Sequence, residues 1–84
     1  MPKILTIASR ISVYMYFKDH NPPHIHIYNG TYLNHDAHMK VNLETFEIIE
    51  LEGFSGKSAK KILKFLRNYQ VYLLMKWSEF YEEK

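Results

Sequence analysis

The chain contains no cysteine among its 84 residues. That excludes a disulfide framework and any thiolate metal centre. It has no long apolar run either: even "VYLLM" at 71–75, unsurpassed in length, falls far short of the roughly 20 residues that span a bilayer. Glycine and proline are scarce, three each, and two of the prolines are adjacent. Residues 57–67 lack any acid, and residues 44–52 lack any base. With no cysteine and no signal sequence, the expected location is a reducing cytoplasm, with no membrane involvement. The net charge of +2 is too small to identify a nucleic-acid binder by itself.

The apolar fraction of 46% excludes a disordered chain, and the length suits one domain, 1–84. Seven Tyr, five Phe and Trp77 supply large buried areas to a small core. "KILTIA" (3–8) and "ISVYMYF" (11–17) read as strands, the second strongly, being β-branched and aromatic. In it Ile11, Val13, Met15 and Phe17 share one face, and Ser12, Tyr14, Tyr16 and Lys18 the other. "KDHNPP" then breaks the alternation, because Asp and Asn favour turns and proline has no N–H for a ladder. "HIHIY" (24–28) is the next strand, with His24, His26 and Tyr28 opposite Ile25 and Ile27. Residues 31–36 read as a long hairpin loop. In "AHMKVNL" (37–43) Ala37, Met39, Val41 and Leu43 face one way and His38, Lys40 and Asn42 the other. "FEIIEL" (46–51) fits a last strand.

From Ser55, a suitable N-cap, the period changes. Ala59, Ile62, Leu63, Leu66, Tyr69, Leu73, Trp77 and Phe80 recur at helical spacing, which predicts an amphipathic segment split near Asn68–Tyr69. Trp77, Phe65 and Phe80 are expected in the core. The expected fold is α+β: a small antiparallel sheet of four or five strands, then two C-terminal helices packed on one face.

"DHNPPHIH" (19–26) concentrates Asp19, His20, Pro22, Pro23, His24 and His26. Imidazoles at i and i+2 of a strand lie on one face, about 7 Å apart. Three readings compete. In the first, His20, His24 and His26 supply acid and base without a metal, Asp19 orients one of them, and Tyr16 donates a hydrogen bond. Lys57, Lys60, Lys61, Lys64 and Arg67, a basic helical stripe, then hold substrate phosphate. In the second, His24, His26 and His38 ligate zinc or another divalent metal, with His20 or Asp19 as alternative ligands. In the third, these are ordinary polar residues of a half-exposed sheet, and the stripe is a solvated helix face. Stiff prolines holding several imidazoles favour a pre-organised site, with acid–base work ahead of metal binding.

The motif and its flanks, "VYMYFKDHNPPHIHIYNG", "NLETFEIIELEGFSGKSAKKIL" and "MKWSEF", resemble a small, largely uncharacterised bacterial domain family with the signature Asp-His-x-Pro-Pro-His-x-His. The resemblance covers nearly the whole chain. It implies the toxin half of a toxin–antitoxin pair, with a cognate antitoxin-like small protein as partner and Asp19, His20, Pro22, Pro23, His24 and His26 as the shared site. "NHD" (34–36) departs from it by lengthening the middle hairpin. The expected target is RNA or the translation machinery. The alternatives are a metalloenzyme or metal-binding protein and a non-enzymatic interaction module; an exposed edge strand leaves room for a dimer.

Overall fold

The strand-rich first part of the chain forms a meander in the computed structural model, which describes residues 3–7, 10–15, 23–31 and 33–82. β1 (Lys3–Ile7), β2 (Ile11–Tyr14), β3 (His24–Gly30), β4 (His35–Asn42) and β5 (Ile48–Glu52) pair antiparallel in chain order. α1 (Gly56–Arg67) and α2 (Gln70–Glu82) follow. The expected α+β architecture is the observed one, with five strands.

Register explains why alternation reads so cleanly. Val13, Ile27, Met39 and Leu51 lie opposite one another across four strands. The first three are fully buried, together with Ile25 and Val41 on the same face. Ala59, Ile62 and Leu66 of α1, and Leu73 and Trp77 of α2, join the same core. Both helices therefore serve the apolar face. Among the described residues no helix is long and apolar enough to cross a membrane.

The turns follow local chemistry. The Ser55 hydroxyl accepts from the Ser58 N–H at 3.1 Å and starts α1. The break between helices falls at Asn68–Tyr69, as the sequence predicts; the Asn68 and Tyr69 N–H groups donate to the Phe65 and Leu66 carbonyls. α2 is anchored at its start, where Gln70 Nε2 donates to the Leu43 carbonyl at 2.8 Å. Gly53 has φ +83°, and a Cβ there would stand 2.7 Å from the Asp36 carbonyl oxygen, so the β5–α1 turn requires glycine.

Three expectations shift. The 31–36 loop shrinks to a turn closed by reciprocal Thr31–Asn34 backbone bonds, and His35 and Asp36 join β4. β5 runs 48–52 because the chain first turns at Asn42, whose side-chain oxygen accepts from the Glu44 and Thr45 N–H groups. Phe46 takes a positive φ of 61° there, yet its ring is buried under the Arg67 guanidinium. Phe65 and Tyr69 are partly exposed and pack on each other instead of entering the core. Phe65 lies on the flank of α1, outside the arc that Ala59, Ile62 and Leu66 turn to the sheet. The side chain of Phe80 is outside the described ones.

Candidate functional site

The second face of the sheet carries the polar half of each alternation. Its cross-strand rows are Ser12–Tyr28–His38–Glu52 and Tyr14–His26–Lys40–Glu50. Sheet pairing thus lines up in one row residues up to 40 positions apart, Ser12 to Glu52. Two carboxylates and a lysine come with them.

At the centre, His26 Nδ1 and His38 Nε2 are 3.1 Å apart. The ring centroids are 5.4 Å apart and the planes differ by 13°. With the nitrogens so close, the remaining separation is one ring radius at each end. The nitrogens therefore lie on the line joining the centroids, and the rings meet edge to edge, head to head, not face over face. That is the geometry of one shared proton: one imidazole donates and the other accepts. Lone pairs aimed at each other along a line do not converge on a third point, as ligands of one tetrahedral ion must. Among the described residues no three His, Asp or Glu side chains are grouped to hold a metal ion.

Rings surround the pair. Tyr28 lies 5.0 Å from His38 and packs its edge against Tyr14 at 5.4 Å. His35 sits 4.5 Å from Tyr28, and its Nδ1–H donates to the Thr31 carbonyl at 2.9 Å. Tyr14, Tyr28 and His24 are buried, whereas His26, His38 and Lys40 are half-buried and so reachable from solvent. His24 lies 5.3 Å from both His26 and Trp77. α2 accordingly runs along the end of the sheet, from the β4 exit at Leu43 to the β3 entry at His24.

Burial pushes His38 below the ordinary imidazole value of 6.5, and His35 and Lys40 add to this, against the opposing pull of Glu50 and Glu52. The sign for stability follows. A histidine that binds protons less readily folded than unfolded favours the unfolded state on acidification. Its contribution is complete above about pH 6.5, is lost as pH falls below that, and levels off under the folded value. The urea midpoint should therefore drop between pH 7.5 and pH 5.5. In His38→Gln the drop should be smaller; an undiminished drop would assign the acid sensitivity to other groups.

The sequence-derived candidates divide into three groups. His24, His26 and His38 are brought together on one face. Tyr16, Asp19, His20 and Pro22 lie outside the described residues; Pro23 is described, and its carbonyl accepts from the Leu43 N–H at 2.8 Å. Lys57, Lys60, Lys61, Lys64 and Arg67 are exposed on α1, on the arc opposite buried Ala59, Ile62 and Leu66. Because that apolar arc must meet the Val13/Ile27/Met39 face, the basic stripe ends on the far layer from His26. Glu50, Glu52 and Lys40 are the neighbours that sequence reasoning left unassigned. Their signal was present: carrying the alternation at the end of "FEIIEL" on to Glu52 puts Glu50 and Glu52 on one face, opposite Leu51.

Residues 11–78 match the family model described as domain of unknown function (DUF4160). No curated protein and no solved structure matches the chain.

Proposed function

The chain belongs to the DUF4160 family of domains of unknown function, and from that premise we propose that it is a toxin-like protein acting on RNA by histidine proton transfer without a metal. The observation that supports this reading is the collinear His26–His38 pair, half-buried beside buried tyrosines. His26, backed by His38, accepts the proton of a ribose 2′-hydroxyl, and the pair spreads the resulting charge over two rings. The 2′-oxygen attacks phosphorus, and the bond to the 5′-oxygen breaks. Two imidazoles bonded to each other cannot also stand on the leaving-group side. His24, beside His26 but off that line, gives the 5′-oxygen its proton through the small part of the residue, 6%, that stays exposed. Lys40, directly across the ladder from His26, faces the charge that builds on the phosphorane. This role passes to Lys40 because the α1 stripe is on the other layer; the stripe can hold only a distant part of a long RNA. Asp19, His20 and Tyr16 orient the imidazoles in this scheme. A cytoplasmic, antitoxin-like small protein would restrain the activity.

The test has two arms. Induction of the chain should arrest growth, and purified protein should cleave a structured RNA equally well with and without EDTA. Cleavage abolished by EDTA and restored by zinc would replace this reading with the metalloenzyme. Arrest with no cleavage of any RNA would replace it with target sequestration.

A further inference from the structure

Among the described residues β5 is the last strand of the sheet, with a neighbour on one side only. All five of its residues are exposed. Ile48, Ile49 and Leu51 retain 38%, 47% and 42% of their accessible surface, which is high for apolar residues sitting in a ladder. No proline or lysine blunts this edge, the usual means of keeping foreign strands off. Acids mark it instead: Glu44, Glu47, Glu50 and Glu52 are present, and no base occurs from Glu44 to Gly56.

We propose that the outer edge of β5 takes a sixth strand from a partner protein: an extended segment in which Lys or Arg alternates with apolar residues. The register supplies the complementarity. Glu50 and Glu52 point to the histidine face and Leu51 to the helix face. A strand added alongside places its alternate residues on those same two faces. Cations then fall opposite Glu50 and Glu52, and apolar side chains beside Leu51 cover surface that is now wet. A second copy of this chain is the poorer occupant, because β5 against β5 sets Glu50 and Glu52 of one copy against like charges of the other. The bulge at Ile49, where Lys40 pairs with Glu50 but Val41 with Ile48, limits the regular docking edge to its Glu50–Glu52 end. The acceptor is thus short and depends strongly on charge. It stands independently of any activity at His26.

The probe is an end-blocked peptide of about eight residues alternating lysine and valine. The controls alternate glutamate with valine, or lysine with proline, the latter keeping the charge but lacking ladder donors. Binding to the full chain is followed by amide exchange and ¹⁵N chemical shifts. The lysine–valine peptide should protect amides in 48–52, with an affinity that weakens with salt. Glu50→Lys/Glu52→Lys should bind at least tenfold more weakly, and the isosteric Glu50→Gln/Glu52→Gln severalfold more weakly; native-like spectra of either variant suffice. Equal binding of the lysine–proline peptide would reduce the effect to charge attraction and overturn the strand reading. So would unprotected β5 amides at saturating peptide. A dimer with β5 protected before peptide is added would give the edge to a second copy instead.

Discussion

His26→Ala is expected to lower RNA cleavage by about 10²–10⁴-fold, the usual worth of a positioned proton-transfer group, and to release growth arrest. The residue is half-buried on a strand of the sheet, and its side chain points away from the helix-facing core, so the fold should survive. His38→Ala is the sharper variant. It removes the second ring of the pair, which also packs by Tyr28, and on a solvated reading of the sheet face it would do little. If the two imidazoles work as one base, it should cost nearly as much as His26→Ala. The double variant should then be no worse than either single one, since groups acting as a unit are not additive. Single-turnover cleavage by the three variants, with circular dichroism as the folding check, decides it. Full activity in His38→Ala with none in His26→Ala would dissolve the pair as the base and leave His26 acting alone. Glu50 and Glu52 favour a proton on His38 while burial opposes it, and burial prevails, so His38 lies below the ordinary imidazole value.

The largest stability effect is expected at Trp77. Its side chain is nearly buried, packs in the core with Leu73 and Leu66, and also meets the His24 ring at 5.3 Å. Trp77→Ala should cost about 3–5 kcal/mol, the usual loss on truncating a buried aromatic. A domain of this size has about 5–15 kcal/mol in all, and a small core sits at the low end of that range. The variant should therefore be largely unfolded at growth temperature, with a urea midpoint below half that of the parent. Trp77→Phe keeps the ring against His24 and should retain most of the stability. Trp77 is a hinge between structure and site: it belongs to the core on one side and to the histidine face on the other. Urea unfolding of Trp77→Phe, combined with the His24 imidazole chemical shifts, reads both roles. An alanine variant as stable as the parent would show that α2 docks mainly through Leu73 and Gln70.

The alternation in 11–15, 24–28 and 37–43 carries most of the described architecture. Strand side chains have a period of two, so a buried face leaves its trace directly in the order of residues. The helix pair was legible for the same reason at a different period, including the break at Asn68–Tyr69. Phe65 shows the limit of that signal. An aromatic one position off the apolar arc is indistinguishable by type from a core residue, and only packing set it outside. The turn at 31–34 reads from sequence as a longer loop because its polar residues resemble any loop; the reciprocal Thr31–Asn34 bonds and positive-φ Gly30 are what close it early.

The candidate site was legible in part. His24 and His26 stand two apart in one strand, and their shared face follows from sequence. That His38 completes the pair, ring nitrogen to ring nitrogen, depended on β3 and β4 pairing so that Tyr28 opposes His38 and His26 opposes Lys40. A register slip of one residue would have sent His38 to the core face. The α1 lysines show the converse: their spacing proved a stripe, but which layer it would occupy depended on where the apolar arc of α1 had to go. Local periodicity, turn chemistry and the absence of cysteine are properties of neighbouring residues, so the sequence by itself determined the strands, the helices, their faces and the exclusion of thiolate chemistry. The pairing of His26 with His38, the arrival of Glu50 and Glu52 beside them, and the placement of Trp77 under His24 join residues 12 to 53 positions apart. Only tertiary structure decided these, because contacts across a sheet are fixed by the burial of one whole face at once and not by any residue's own neighbours.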